Sequence, residues 1–489
     1  MNIEEYPHVI EPFSHQRDHL KNNVTKKAWG LLWEQGTAKT KPIVDTAAIL
    51  YSRGEIDGLL VVAPPGVERN WNTDEIPAHM PPEVALDTRV QVFKTAQKAT
   101  QAHKRQMNSL FTHSGLSVLL ISYNAFMTKE GKKLVWDFLK KRRCLYVLDE
   151  AHNIKTPKAK RTISMIASSK YAPYRRVLTG TPISVTPFDI YTQIKFLDEF
   201  FWKNKGIHGA VEFRQFFGRW FTRDEHKKVH GYDPGYDQLI EYQNLDKLYE
   251  WLKEISDRYL KDEVLDLPPK LYQKRYFEMS REQWAAHNQL KEELMLEIGD
   301  HIITAELPIV AQLRYQQIAC NYVPVGKDEP VHMFSNKNPR MTVMEQIRDE
   351  TYHQGIIWAR FRHDIDQIMD LLGSRAVRYD GSLDDDTAER NKLAFQRGDA
   401  QWFVGNAQKG GSGLTLTQAK TMVYYSNSFR LIDRLQSEDR AHRGGMDKNP
   451  VTYIDVMSDS PIDDHIVKNL RNKKEVAAEV LGDAIKEWI

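Results

Sequence analysis

Leu31-Leu32-Trp33-Glu34-Gln35-Gly36-Thr37-Ala38-Lys39-Thr40 joins a short apolar run to a polar turn and then to a stretch of helical composition. A tight turn of this make-up aims backbone N–H groups at a phosphate, lets a Lys reach the outer phosphates of a nucleotide and places a Thr hydroxyl for Mg²⁺. The general pattern carries Gly at both ends, G-x-x-x-x-G-K-[ST], and those positions here hold Trp33 and Ala38. Read alone, the stretch fits a nucleotide loop and a Gly-Lys surface turn equally well. What flanks it decides the fold.

Downstream, apolar runs alternate with polar stretches of helical length: Leu59 to Ala63, Val118 to Ile121, Leu145 to Leu148 and Arg176 to Thr179. Continuous runs of this size, closed by Pro, Gly, Ser or Asp, predict buried parallel strands of an α/β sheet. Between about 195 and 340 the texture becomes aromatic and charged, with helical spacing at Leu245, Leu248, Leu252, Ile255 and Tyr259, and again at Trp284, Leu290, Leu294 and Ile298. The α/β texture then returns at Ile356 to Ala359, Trp402 to Val404, Met422 to Tyr425 and Tyr453 to Val456. These readings predict an α/β protein in three parts: a first sheet lobe over 1–195, a helical insertion region over 196–340, and a second sheet lobe with a C-terminal helix over 341–489.

A length of 489 residues suits about three domains at roughly 150 residues each. Hydrophobic residues are 41% of the chain and charged residues 27%, mean hydropathy is −0.56, and no apolar run nears the roughly 18 residues that span a bilayer. An integral membrane protein is excluded on that ground. The acidic start Met1-Asn2-Ile3-Glu4-Glu5 does not read as a secretory signal, which leads to an expected cytoplasmic location. Two cysteines, Cys144 and Cys320, rule out a disulfide framework. Net charge is +2, so any surface for polyanions must be local.

Four further segments carry chemistry. Asp149-Glu150-Ala151-His152 follows the run ending at Leu148; a carboxylate there can hold Mg²⁺ and its neighbour can activate water, although Asp also favours a helix N-cap. Thr179-Gly180-Thr181-Pro182 closes another strand, or is an ordinary turn. Lys409-Gly410-Gly411-Ser412-Gly413 is a glycine-rich turn able to approach phosphate, or a flexible loop. Gln436 to Gly445 holds Arg440 and Arg443, three apart on one helical face, where they could meet a nucleotide or simply be solvated. His15 and His19 are four apart without a third metal ligand nearby, so a polar helix face is the better reading. The basic runs Lys140-Lys141-Arg142-Arg143 and Lys155, Lys158, Lys160, Arg161 read equally as solvated surface and as holders of DNA phosphates.

The order of these segments resembles the Snf2 (SWI2/SNF2) family of superfamily 2 helicase-like ATPases, from about His15 to about Asp455. Gly36, Thr37, Lys39 and Thr40 are similar to its motif I, Val61 to Gly66 with Asn70-Trp71 to motif Ia, Ile121-Ser122-Tyr123 to Ib, Asp149 to His152 to II, and Leu178 to Pro182 to III. The most discriminating stretch is Arg258 to Lys270, with Leu267-Pro268-Pro269-Lys270, followed by Met279 to Gln283. Gly355 to Phe361, Tyr379 to Ser382 and Gln436 to Gly445 resemble motifs of the second lobe. Departures are Ala38 for a loop Gly, Thr415 for Asn, Phe429 for Trp and Met446 for Gln.

The resemblance implies two RecA-like parallel-sheet lobes with Snf2-type helical insertions, ATP and Mg²⁺ as cofactors, and a compact bacterial or bacteriophage-type enzyme. It implies that Gln16 contacts adenine; that Gly36, Thr37, Ala38, Lys39, Thr40, Gly413 and Gln436 line the nucleotide; that Thr40 and Asp149 hold the metal; and that Lys39, Asp149, Glu150, Arg440 and Arg443 are catalytic. Gly66, Asn70, Ser122, Tyr123, Lys155, Gly411 and Ser412 would contact DNA, with Thr179 and Thr181 coupling the two events. The expected activity is a translocase stimulated by duplex, forked or branched DNA, serving replication, repair or the remodelling of DNA-bound proteins. A nucleotide-gated DNA-binding switch and an RNA-directed ATPase are the alternatives. A Cβ at position 38, should that position need φ > 0, costs of order 1 kcal/mol.

Overall fold

The computed structural model describes residues 6–298, 301–305, 307–326, 329–410, 414–484 and 488–489. Contacts divide the chain into two compact units, Met1–Asp266 with Glu475–Ile485, and Leu267–Lys474 with Lys486–Ile489.

The first unit carries β1 (Ala28–Leu31), β2 (Gly58–Ala63), β3 (Thr88–Val92), β4 (Leu116–Ser122), β5 (Cys144–Asp149), β6 (Tyr174–Leu178), β7 (Gly218–Phe221), β8 (Gln238–Tyr242) and β9 (Ser256–Asp257). Seven of them form one sheet in the order β3-β4-β2-β5-β6-β1-β9, every pair parallel. The apolar runs are buried on both faces because the pleat sends alternate residues to opposite sides. Leu60, Val62, Leu119, Ile121, Tyr146 and Leu148 enter one core, and Leu59, Val61, Val118, Leu120, Leu145 and Val147 the other. Each such Leu, Ile or Val contributes about 1.5–3 kcal/mol by leaving water.

Three strands, not the two read from sequence, separate the nucleotide loop from Asp149. The extra one, β3, is the half-exposed edge strand Thr88-Arg89-Val90-Gln91-Val92, whose mixed composition follows from lying at the rim. The first strand also sits earlier than the run Leu31-Leu32-Trp33 suggested.

The stretch between 196 and 340 holds helices and strands alike. The helix Leu245–Lys253 buries Leu245, Leu248 and Leu252, as their spacing predicts, while β7 and β8 form an antiparallel pair. The helix Arg281–Glu293 stops before the spacing does: Leu294 takes φ +56 at its C-cap and Ile298 ends a strand. The contact boundary, at Asp266 and Leu267, falls inside this stretch.

The second unit contributes β10 (Lys270–Phe277), β11 (Met295–Ile298), β12 (His301–Thr304), β13 (Tyr322–Val323), β14 (His332–Met333), β15 (Gly355–Trp358), β16 (Ala376–Tyr379), β17 (Trp402–Gly405), β18 (Thr421–Tyr424) and β19 (Val451–Ser458). Its main sheet runs β10-β19-β18-β15-β17-β16, again parallel throughout. Among the described residues no helix is long and apolar enough to cross a membrane. In a parallel sheet every strand ends on the same edge, so the loops after β1, β2, β4, β5 and β6 gather at one rim of the first unit.

Candidate nucleotide site

At that rim, residues 32–39 connect β1 to α2 (Thr40–Ser52), with Lys39 as the helix N-cap. Gly36 has φ +79 and Ala38 φ +56, so the position lacking its glycine does demand the left-handed region. The turn is held from within. Thr37 Oγ1 donates to the Glu34 carbonyl at 2.7 Å, and Lys39 Nζ donates to the carbonyls of Trp33 at 3.2 Å and Glu34 at 3.0 Å. It is also held from α1 (Ser14–Asn23): His15 Nε2 lies 3.0 Å from the Thr37 carbonyl, and Gln16 Nε2 donates to the Ala38 carbonyl at 2.8 Å while its Oε1 accepts from Phe13 N at 2.9 Å. Both Gln16 amide atoms are thus engaged with the loop and its own helix cap. His15 is the helix-borne loop clamp that the spacing of His15 and His19 did not reveal.

Asp149 ends β5, and its carboxylate accepts from the Trp71 indole N–H and from Glu150 N, both at 2.9 Å. Burial and then the neighbouring Glu150 charge push Asp149 up to about 7, against the Trp71 hydrogen bond and Lys39. Asp149 and Glu150 are the two carboxylates this rim offers to a cation, with Lys39 near enough to favour the charged form of Asp149. Glu150 adopts φ +51 as the cap of the short turn Ala151–Ile154. Its Oε1 accepts from Gln35 Nε2 at 3.3 Å and its Oε2 lies 3.3 Å from His152 Nδ1. His152 Nδ1 is in turn 3.4 Å from Thr179 Oγ1, which accepts from Thr181 N at 3.2 Å. Gly180 lets this turn lie against Gln35, since a Cβ there would stand 2.3 Å from Gln35 Cγ. Lys39, Asp149, Glu150 and the Thr179 turn are therefore brought together; Thr40, half-buried, opens α2 beside them.

Two residues in the left-handed region without being glycine, Ala38 and Glu150, flank one rim, and such strain gathers where function over-determines the backbone. Ala38→Gly removes a left-handed penalty of about 1–2 kcal/mol and adds about 0.4–1 kcal/mol of unfolded-chain entropy. A net gain approaching 1 kcal/mol is expected in thermal unfolding, with ATP turnover at or above that of the parent chain. A lower melting temperature contradicts the strain.

The expected DNA contacts fare unevenly. Gly66, at φ +89, caps the helix Val67–Asn70, and a Cβ on it would meet nothing within 4 Å, so Gly66 lies on open surface with Asn70 half-exposed behind it. Ser122 Oγ accepts from Ala125 N as a helix cap. Tyr123 is buried and donates its hydroxyl to the Asp149 carbonyl at 2.9 Å, so its side chain supports Asp149 instead of facing a phosphate. Lys155 Nζ is committed to Ser184 Oγ at 2.7 Å. The run Lys140 to Arg143 precedes β5 and so sits at the opposite sheet edge from Asp149; Arg142 donates to the Leu110 and His113 carbonyls and Arg143 to that of Gly54. Two of the four side chains in that run are thus engaged with backbone carbonyls, and Lys140 and Lys141 are exposed.

In the second unit, Gly411, Ser412 and Gly413 lie outside the described residues. The helix Leu431–Glu438 ends before Arg440, so Arg440 and Arg443 occupy the turn beyond it and do not share a helical face. They nonetheless converge. Arg440 donates to the carbonyls of Leu414 and Gln436, both at 2.9 Å, and Arg443 to the Leu414 carbonyl at 3.3 Å and Thr415 Oγ1 at 3.0 Å. Thr415, the departure from Asn, is thus a side-chain acceptor for Arg443. Deeper in, Glu438 accepts from Arg434, Lys270, Tyr272 and Trp488. Burial opposes its charge, but Lys270 and Arg434 hold the carboxyl well below the ordinary range. The Lys270 of the Leu267-Pro268-Pro269-Lys270 stretch is therefore a core partner.

Two parallel α/β units, one bearing a phosphate-type loop beside an Asp-Glu pair and the other a pair of convergent arginines, have the construction of helicase-like ATPases. Residues 15–321 match the SNF2-related domain and residues 339–445 the helicase conserved C-terminal domain. The chain belongs to the SNF2 family. It is similar to the human SWI/SNF-related matrix-associated actin-dependent regulator of chromatin subfamily A member 1, 26% identical over 388 residues that cover 74% of this chain and 34% of that one. It is likewise similar to the human DNA annealing helicase and endonuclease ZRANB3, 26% identical over 427 residues, 84% of this chain and 35% of that one. The chain spans about a third of the length of these relatives. The solved Sulfolobus solfataricus SWI2/SNF2 ATPase core in complex with dsDNA aligns with TM-score 0.40 and 18% identity, covering 98% of this chain and 99% of that one.

Proposed function

We propose that this SNF2-family chain is a DNA-stimulated ATP hydrolase that uses turnover to move along duplex or branched DNA. The observation that carries the ATPase half is the convergence of Lys39, Asp149 and Glu150 on one sheet rim, joined through His152 to the Thr179-Gly180-Thr181 turn. The DNA half rests on relatives whose names place them on chromatin and DNA.

In this reading Lys39 exchanges the Trp33 and Glu34 carbonyls for outer phosphate oxygens, and the loop N–H groups cradle the same phosphates. Thr40 and Asp149 would hold Mg²⁺, which would supply positive charge to the phosphates. Glu150, fixed by Gln35 and His152, orients water and takes its proton. Arg440 and Arg443 are assigned to the charge that develops in the transition state. Gln16 is assigned to the adenine end, and Gly66 and Asn70 to DNA phosphates, with Gly411 and Ser412 as further phosphate contacts; Gln436 and Gly413 are assigned to the nucleotide. Contacts of this kind give sequence-independent, salt-sensitive binding. Replication, repair or displacement of DNA-bound proteins is the process proposed.

The test is steady-state ATP hydrolysis at low salt without nucleic acid and with single-stranded, duplex or forked DNA or RNA, beside a Lys39→Ala control. Stimulation by duplex or forked DNA that vanishes in the control is expected. Stimulation by RNA alone replaces the substrate. ATP binding without turnover favours a nucleotide-gated switch, for which the strained Ala38 is the structural reason.

A further inference from the structure

The chain entering the nucleotide loop is tied sideways to a segment more than two hundred residues away. Beside β1, backbone bonds run from Gly30 N to Ile255 O at 2.9 Å, Leu32 N to Asp257 O at 3.0 Å and Glu34 N to Tyr259 O at 2.9 Å, so the ladder continues past the strand to the loop's first residue. Side chains repeat the tie. The Asp257 carboxylate accepts the Trp33 indole N–H at 2.7 Å and Asn23 Nδ2 at 3.1 Å, and lies 2.7 Å from His19 Nδ1. Glu34 Oε2 accepts from Lys261 N at 2.8 Å. Tyr259 stands edge-on to Trp33, ring centroids 5.2 Å apart.

These contacts converge on the loop by two routes. Trp33 offers its carbonyl to Lys39 Nζ, so the Asp257 carboxylate is one residue removed from an acceptor of the phosphate-binding Lys. His19 and Asn23 belong to α1, whose His15 and Gln16 grip the Thr37 and Ala38 carbonyls. A carboxylate in this largely buried, aromatic setting gains little stability over an apolar residue of similar size. What it adds is direction, because each hydrogen bond fixes a donor's orientation.

We propose that Asp257 is a positioning residue for the nucleotide loop, setting the Trp33 side chain and α1 so that the Lys39 amine and the strained Ala38 turn meet the phosphates. The inference rests on reading that loop as the ATP site. Asp257 touches no reacting atom.

The test compares ATP affinity, KM, kcat and melting temperature in the full chain for the parent, Trp33→Phe, Asp257→Asn, Asp257→Leu and the double variant Trp33→Phe with Asp257→Asn. Trp33→Phe and Asp257→Leu are each expected to weaken ATP binding and raise KM about tenfold, the scale of one hydrogen bond to a charged group, with kcat changed less than about twofold. Asp257→Asn keeps a carbonyl for the indole N–H and is expected to recover most of that loss. The double variant is expected to lose less than the sum of the two single losses, since the Trp33 bond is common to both changes while the His19 and Asn23 bonds answer to Asp257 alone. Lowered melting temperature with ATP affinity and KM untouched overturns the proposal, as do additive losses in the double variant. Should Asp257→Leu not fold, Trp33→Phe and Asp257→Asn decide alone. A parent chain that binds no ATP overturns the underlying reading of the loop, an outcome distinct from parent and variants binding equally.

Discussion

Glu150→Gln is expected to lower the ATP turnover number about a thousandfold, within the range of about 10²–10⁴ for loss of a positioned acid–base group, while nucleotide binding is kept. The substitution is nearly isosteric. An amide still accepts from Gln35 Nε2, now 3.3 Å from Glu150 Oε1, so the left-handed backbone at this residue keeps its support. Binding is expected to be equal or tighter for an electrostatic reason. After burial, the Glu150 charge is the largest influence raising Asp149, and removing it eases ionisation of the carboxylate that would receive Mg²⁺. Single-turnover hydrolysis paired with equilibrium binding of Mg²⁺–ATP checks both halves. Turnover within tenfold of the parent removes Glu150 from the role of base.

Arg443→Ala is expected to cost about a thousandfold in turnover, the lower end of the range for an arginine that meets transition-state charge, with little change in stability. Arg443 is half-buried and held by the Thr415 hydroxyl and the Leu414 carbonyl, ties that a phosphate can replace. Arg440 differs. It is 7% exposed, binds the carbonyls of Leu414 and Gln436, and its own carbonyl receives Leu416 N at 2.9 Å. Arg440→Ala is therefore expected to lower the melting temperature as well as turnover. Equal turnover in Arg443→Ala and the parent, with both folded, removes the catalytic assignment.

The strands were legible because parallel sheets bury both faces, and that leaves unbroken apolar runs such as Leu59 to Ala63. Strand β3 escaped for the converse reason, since an edge strand mixes Thr, Arg and Gln with its valines. Lys39, Asp149 and Glu150 could be placed near one another because each ends or follows a strand at the same sheet edge, while their roles came from the family resemblance, since each local pattern alone also fits a surface turn or a helix cap. The missing glycine at position 38 raised the question of a left-handed turn, and Ala38 takes φ +56. Tyr123 was misjudged in orientation: position after a strand says that a residue is near the rim, not whether its ring turns inward beneath Asp149. Arg142 and Arg143 were ambiguous as a charge run, and the direction of β5 puts them at the sheet edge away from Asp149, bound to backbone carbonyls. Asp257 left no mark at all. Its partners His19, Asn23 and Trp33 lie more than two hundred positions earlier, and no spacing rule spans such a distance.

Residues 475–485 belong to the first unit, where Val480 and Leu481 join its core and Asp483 binds Arg258. On a ribosome, the amino-terminal α/β body therefore emerges with part of its apolar surface uncovered and Arg258 awaiting its carboxylate. The closing piece arrives only after more than two hundred further residues have been made, at about 5–20 residues per second, an interval of tens of seconds at the slower rate. For that time Val480 and Leu481 are missing from the core they later join, and the end of the last helix completes the first-made half of the molecule.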